Sequence, residues 1–201
     1  MNINRTIMHN NSQAKRGNKG FTLIEMIGVL AVIAILAGLL IPKIFQAISG
    51  ARINSAAAAC STVKAATADH YAKNGALGAT ATKFDTLVLM KEGFLDKPFE
   101  TKIGTPATTE IDLADGLTSG DAATAINSAY ALSGDPLVND AAGSQVVQAV
   151  ITGVSQADAK ALSLLLDGAA LSTAAGAADL LGRVKFSITD PTDVYVYITS
   201  R

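Results

Sequence analysis

The sequence predicts an α+β protein in which one long N-terminal helix packs on a small antiparallel sheet. Three patterns carry this prediction: an uncharged apolar run near the N-terminus, a proline-free continuation rich in alanine, and alternating apolar residues near the C-terminus. An apolar helix stripe needs a second layer to cover it, and a sheet with alternating faces supplies one. We expect a lollipop in which the first half of the helix is transmembrane and the rest joins a globular head.

The apolar run occupies residues 26–41, sixteen positions without a charge. Together with Phe21, Leu23 and Ile24 it gives about 21 mostly apolar residues, which span roughly 30 Å as a helix and match the hydrocarbon core of a bilayer. An ordinary signal anchor and a secretory signal peptide have similar composition. The run is not closed by a small-x-small cleavage site, because Pro42 and Lys43 follow Ile41 directly.

The charges are distributed unevenly along the chain. Residues 1–20 carry four basic side chains and no acidic one, and the remaining 12 basic and 17 acidic side chains leave the rest at −5. A basic segment before an apolar block is typical of an exported protein with its positive side in the cytoplasm. The acidic body argues against nucleic-acid binding, which needs a basic footprint.

Few residues are available for catalysis or metal binding. Cys60 is the one cysteine, and His9 and His70 are the two histidines, so an intrachain disulfide is excluded and a zinc site would be poor in ligands. Residues 76–201 show no nucleophile–base pair, phosphate loop or metal cluster. We therefore expect that the protein is not an enzyme. Cys60 is interpreted as a small packing residue.

Glu25 interrupts the apolar block, five residues after Gly20. The basic residues Lys15, Arg16 and Lys19 come immediately before the block, with no spacer between. An ionised carboxylate in hydrocarbon costs about 2–4 kcal/mol even on insertion scales, so such residues usually have a partner. A carboxylate that snorkels to the membrane edge is the alternative interpretation.

The string KGFTLIE at residues 19–25, followed by the apolar run and Pro42, resembles the class III signal of type IV prepilins and of type II secretion pseudopilins. The resemblance covers residues 15–73. It implies a pilin-like fold, cleavage between Gly20 and Phe21 by a prepilin peptidase, and N-methylation of the new Phe21 amine. It also implies that the apolar helix becomes the packed core of a filament, and that it loosens near Pro42 on assembly.

Glu25 then has a suitable partner, because cleavage exposes a cationic amine on Phe21. A carboxylate buried in an apolar bundle is tolerable only when paired, and the amine of a neighbouring subunit can pair with it. The resemblance implies further partners: copies of the same chain, the peptidase, and an inner-membrane assembly platform with its ATPase. The expected location is the bacterial inner membrane, with the head in the periplasm, and afterwards a periplasmic or extracellular filament.

The predicted organisation has four parts: a cleaved cytoplasmic leader at residues 1–20, a transmembrane and filament-core helix at 21–42, an amphipathic helix at 43–75, and a globular head at 76–201. Three functions stay open at this point. The chain is a subunit of a type IV pilus-like filament, a pseudopilin of a type II secretion system, or a signal-anchored periplasmic binding protein or enzyme.

Residues 43–73 lack proline, and small residues recur at near-helical spacing, among them Ala51, Ala58, Thr62 and Ala66. Gly75 is the predicted C-cap of this helix, whereas Pro42 is expected to kink it.

In the head, residues 82–91 predict a short helix and residues 145–152 a strand. A second helix begins after the N-cap Ser155, has an apolar face at residues 161, 162, 165 and 166, and stops at Gly168. Alternation in residues 183–189 and 193–199 predicts a hairpin around a three-residue loop at 190–192.

Aspartates of the head are candidate calcium ligands. Asp112, Asp115 and Asp121 lie near Gly116 and Gly120, and carboxylates are ligands that calcium prefers. The spacing does not match an EF-hand loop, and aspartate is common in turns, so we expect no cofactor.

Replacement of Gly20 by alanine or a larger residue should leave the precursor uncleaved, because a protease needs close access to the backbone at the scissile bond. Mass spectrometry should then find all 201 residues instead of a 181-residue mature chain. Normal cleavage of the variant would show that the assigned site is wrong.

Overall fold

The fold has one long helix and a small antiparallel sheet, as predicted. The computed structural model describes residues 20–105, 108–114, 130–135, 141, 143–172 and 177–201. The helices are α1 (Leu23–Asn74) and α2 (Gln156–Leu166), with a π-helical turn at Asp85–Leu89. The strands are β1 (Glu110–Ala114), β2 (Val146–Val154), β3 (Val184–Phe186) and β4 (Thr192–Ser200). The chain forms two compact units, Met1–Ile44 and Phe45–Arg201, and the α+β, pilin-like class is confirmed.

Helix α1 is continuous for 52 residues and contains Pro42. The proline removes one ladder hydrogen bond, the one to the Gly38 carbonyl, but does not end the element. The helix thus continues from residues 21–42 into residues 43–75, as predicted. At the other end the Gly75 N–H donates to the Tyr71 carbonyl at 2.8 Å, and Gly75 has a φ of +73°, which confirms the predicted C-cap.

The buried stripe of α1 differs from the predicted one. Of the four small residues named for the predicted stripe, Ala66 is buried, whereas Ala51, Ala58 and Thr62 are exposed. The buried positions recur at three- and four-residue steps: Ile53, Ala56, Cys60, Val63, Ala66, Thr67 and His70. Small residues lie on several sides of this helix, so spacing alone defines more than one stripe; the core buries the one that contains larger side chains.

The four strands are antiparallel in the order β1-β2-β4-β3, with β2 and β4 central. On one face of β2, Val147, Ala149 and Ile151 join the main core together with the buried stripe of α1. The other face carries Val146 and Gln148, and the Tyr130 hydroxyl donates to the Gln148 side chain at 2.8 Å. The central strand is thus buried on both faces, which fixes its register.

Helix α2 begins where the sequence predicted. The Ser155 hydroxyl accepts from the Asp158 N–H at 3.2 Å, and Gly168, with a φ of +79°, follows its C-terminus. Its buried face overlaps the predicted one, because Leu162 is buried and residues 161 and 166 pack against the core. The face is shifted, however, since Ala159 and Ser163 are also buried and Leu165 is 49% exposed. Four apolar residues in six positions fit more than one face, and the Ser163 hydroxyl is drawn inward by a 2.7 Å bond to Asp179.

The hairpin of β3 and β4 is confirmed, but its loop has five residues, 187–191. The predicted alternation of buried apolar and exposed polar side chains does not hold over residues 183–189, because Ile188 is exposed and Lys185 is fully buried. The Ser187 N–H donates to the Thr192 hydroxyl and the Gln156 amide binds the Ser187 carbonyl, so residue 187 leaves the ladder.

The short helix predicted at 82–91 is a π-helical turn at Asp85–Leu89. The buried Asp85 carboxylate accepts from the Phe99 N–H at 2.7 Å and ties this turn to the following segment. Predictions for residues 115–129, including Asp115, Gly116, Gly120 and Asp121, lie outside the described residues.

Lys185 is a buried lysine that packs against Tyr130. Its Nζ lies 3.9 Å from the centre of the Tyr130 ring, a contact that favours the charged form. Burial acts in the opposite direction and lowers the pKa of Lys185 to about 7. Between that value and the ordinary pKa of about 10.4, the unfolded chain binds a proton that the folded chain lacks. The free energy of unfolding therefore rises with pH in this window.

We expect Lys185→Met to flatten this pH dependence. From pH 7 to 9 the wild-type chain should gain about 2 kcal/mol of unfolding free energy relative to the variant. Denaturant titrations of the full chain in detergent measure the difference, with Lys97→Met as an exposed control that keeps the wild-type slope. Parallel profiles for wild type and Lys185→Met would contradict the prediction.

Candidate processing and assembly site

The predicted scissile residues lie just before α1. Gly20 and Phe21 are outside the helix, and the Phe21 side chain is 82% exposed. A Cβ built on Gly20 would meet nothing within 4 Å, so the described part of the chain leaves its backbone open to approach. The leader residues Lys15, Arg16 and Lys19 lie outside the described residues.

Thr22 and Glu25 cap the start of α1 reciprocally. The Thr22 N–H and hydroxyl both donate to Glu25 Oε2 at 2.8 Å, and the Glu25 N–H donates to Thr22 Oγ1 at 3.3 Å. This is a capping box, in which a threonine N-cap and an acid three residues later satisfy each other's backbone donors. The Met26 N–H closes the first turn on the Thr22 carbonyl at 3.2 Å.

The capping box is a feature that the sequence analysis missed. The signal was present, because a Thr-x-x-Glu pattern directly before an apolar run marks a helix N-terminus. Both sequence interpretations of Glu25, a partner for an amine on another copy and a carboxylate that snorkels to the membrane edge, leave this contact out. The structure adds a contact within the chain, made through Oε2, while Oε1 takes part in none of the described hydrogen bonds. The pairing with a neighbouring Phe21 amine stays a prediction.

The first half of α1 exposes its apolar side chains. An eighteen-residue window of this helix reaches a mean hydropathy of 2.7 with none of it buried, so α1 is long and apolar enough to cross a membrane. Large side chains along the segment, such as Leu30, Leu39 and Phe45, are 64–68% exposed. The core helix of a soluble protein would bury such residues; this one leaves them for lipid or for other helices.

His70 has a structural environment. Its ring packs edge-on against Phe84 and Phe94 with centroids 5.7 and 5.5 Å away, and its Nδ1 lies 3.0 Å from the Glu92 carboxylate. Asn74 bonds both His70 and Glu92. Among the described residues, the polar partners of the ring include no serine that could act with it as a nucleophile. These contacts pack the C-terminal end of α1 against the core.

Cys60 is buried as well, and burial raises the pKa of its thiol to about 12.

Within the described ranges, no three histidine, cysteine or acidic side chains lie close enough to hold a metal ion. Asp112 is the one described member of the aspartate set weighed for calcium. Burial, with the nearby Glu110 and Asp85 charges, raises the pKa of Asp112 to about 6.

The comparisons with known proteins give one match. Residues 15–41 match the family model of the prokaryotic N-terminal methylation motif. No curated protein and no solved structure matches the chain.

The chain therefore carries the class III signal found in type IV pilins and pseudopilins, and the motif indicates a structural subunit processed by a prepilin peptidase. The apolar α1 and this motif fit a membrane-anchored pilin.

Thr22→Val should loosen the start of α1, because it removes the hydroxyl that accepts from the Glu25 N–H and donates to the Glu25 carboxylate. Loss of an N-cap costs about 1 kcal/mol, which predicts roughly fivefold faster amide exchange in the first turn. Hydrogen-exchange mass spectrometry of the full chain in detergent measures this. Thr22→Ser keeps the hydroxyl and should exchange like wild type; equal rates for Thr22→Val would exclude the capping role.

Proposed function

We propose that this chain is the subunit of a type IV pilus-like filament, cleaved between Gly20 and Phe21 and polymerised through its N-terminal helix. The observation that carries the proposal is the methylation motif at residues 15–41, which overlaps the exposed apolar half of α1. A pilin-like α+β head follows the same helix. A structural subunit needs surfaces for other copies of itself, and the exposed helix is one.

The start of the helix supports cleavage at Gly20. Proteases bind substrate backbone in an extended conformation, which a peptide bond inside a helix cannot offer. Here the capping box begins the helix at Leu23 and leaves Gly20 and Phe21 outside it. Glycine lacks a Cβ, so a peptidase can approach the backbone closely and the residue can adopt the required conformation at low cost.

Cleavage creates the charge that assembly needs. The new Phe21 amine is cationic, and α1 contains no basic side chain before Lys43. In a bundle of such helices, the Glu25 carboxylate would be buried without a counter-charge unless the amine of another copy reaches it, and an unpaired buried charge destabilises by about 3–5 kcal/mol. Glu25 Oε1 can accept a hydrogen bond from that amine while Oε2 keeps its hydrogen bonds to Thr22. The pairing then sets the stagger between subunits.

The rest of α1 supplies the filament core. In the inner membrane lipid covers the apolar side chains, and helices gain little from one another by the hydrophobic effect. An assembly platform and its ATPase would extract the chain, after which neighbouring helices replace the lipid. Pro42, which cannot donate a hydrogen bond to the Gly38 carbonyl, marks the position where the helix can loosen as it packs.

A pseudopilin of a type II secretion system is the second candidate. The specific observation in its favour is Cys60, which is the chain's only cysteine and is buried, so the head has no disulfide-closed terminal loop of the kind that pilins carry. Electron microscopy of sheared surface fractions separates the two, since a pilus subunit yields long extracellular fibres and a pseudopilin a short periplasmic one.

Glu25→Ala should leave cleavage intact but abolish most filament assembly, because the Phe21 amine loses its partner within the bundle. Mass spectrometry of the cell-derived chain should find methyl-Phe21 at the N-terminus in both wild type and variant, while sheared filament falls at least about tenfold, the effect of losing about 1.4 kcal/mol per subunit contact.

Glu25→Gln is the matched variant, because its amide oxygen can still cap α1 but carries no charge. If it assembles like wild type, the charge pairing is wrong and the cap alone is required. An intact Met1 in the wild-type chain, even beside its peptidase, would instead favour a signal-anchored periplasmic binding protein or enzyme and overturn the proposed function.

A further inference from the structure

The head carries an apolar groove on the flank of α1. Its walls are Ala59, Thr62 and Val63 of α1 and residues 95–100, and they enclose a cavity of about 410 Å³. The buried Val63 and Phe99 form its floor. The groove shares no residue with the processing site at residues 20–25, and no function derived above uses it.

The rim of the groove is predominantly acidic. Asp96, Lys97 and Glu100 are all exposed. Among the described residues, Asp96 and Glu100 make no hydrogen bond or ion pair within the chain, and the His70–Glu92 contact is the one salt bridge seen. An apolar groove with two unpaired carboxylates at its rim is complementary to a surface that presents exposed apolar side chains next to a basic one.

Helix α2 presents a projection of this kind. Leu164 and Leu165 are 43% and 49% exposed, although the opposite face of the helix is buried through Leu162. Lys160 lies one turn before Leu164 and therefore on the same side of the helix. It is half-buried and has no ionic partner in the described part of the chain.

We propose that the α2 ridge of one copy, formed by Lys160, Leu164 and Leu165, docks in the 59–63/95–100 groove of the next copy. The leucines fill the apolar cavity, and Lys160 faces Asp96 or Glu100 on the rim. This inference rests on the proposed function and adds a contact between heads to the packing of the helices.

The two surfaces share no residue, so one head can use its ridge and its groove at the same time. A contact between two different surfaces is heterologous and propagates into rings or helical filaments, whereas a contact of one surface with itself ends at a dimer. One groove is too small to hold two heads together alone, because stable interfaces bury about 1,200 Å² or more in total. The contact therefore acts together with helix packing and gives the filament a direction.

Cysteine cross-linking in assembled filaments tests the contact. A chain with both Thr62→Cys and Leu164→Cys, treated with a bifunctional maleimide, should give a ladder of covalent multimers, because each copy links to the next. A mixture of the two single variants should give dimers only. The native Cys60 is buried and supplies a silent background, and Thr62→Cys with Ile188→Cys, at an exposed apolar residue outside both surfaces, should give no ladder.

Charge reversal gives an independent measurement. Lys160→Glu should lower the yield of sheared filament by up to about fivefold, the effect of one rim ion pair per contact. Adding Glu100→Lys in the same chain should restore the yield, whereas Lys97→Glu in its place should not.

The outcomes separate this inference from the proposed function. Filaments that form normally but give no ladder, and whose yield is unchanged by Lys160→Glu, would overturn the head contact and leave the proposed function standing. Dimers from a single-cysteine variant alone would replace it with a symmetric contact. A wild-type chain that makes no filament and retains Met1 would overturn both.

Discussion

One carboxylate in the first turn of an apolar helix constrains where that helix begins. The first four N–H groups of a helix lack partners within the helix, and hydrocarbon offers no water to replace them. Glu25 and Thr22 satisfy two of these donors through their reciprocal bonds. The negative charge also lies at the positive end of the helix dipole, where it stabilises the helix. The cap thus fixes where α1 begins, and with it which peptide bonds stay outside the helix.

In the proposed function, this position connects processing with assembly. Before cleavage, the cap leaves the Gly20–Phe21 bond accessible. In the proposed filament, cleavage creates an amine that did not exist before, and the second oxygen of Glu25 can accept a hydrogen bond from the amine of a neighbouring copy. The precursor has no free Phe21 amine, so it cannot form this charge pair. Polymerisation through the pair would therefore require cleavage first. The cap and the pair are compatible because they use different oxygens of Glu25.

The head covers the buried stripe of α1, which runs from Ile53 to His70. Strand β2 is covered on both faces and places Val147, Ala149 and Ile151 in the core that includes Cys60 and Val63. The polar residues of the head serve this packing: Asp85 ties the π-helical turn to residue 99, and His70 closes the end of α1. In the described part of the head, the ridge of α2 and the groove beside α1 are two of the exposed apolar surfaces, and they are the ones that the proposed head contact uses.

The sequence by itself determined the features that depend on local composition and spacing. These are the apolar span, the methylation motif with Gly20, Phe21 and Glu25, the C-cap at Gly75, and the hairpin near the C-terminus. Each rests on neighbouring residues, so no long-range contact was needed to find it. The capping box belongs to this group too, since the Thr-x-x-Glu pattern that forms it is local.

Tertiary structure decided which of several equivalent faces is buried. Ala58 and Thr62 have helical spacing as regular as that of Ala56 and Cys60, and only the packed core selects between them. The same holds for Leu165, which is exposed, and for Lys185, which is buried against Tyr130 in a strand whose alternation placed it outside. Periodicity defines a set of possible faces, but the choice among them depends on residues distant in sequence, and those contacts exist only in the folded chain.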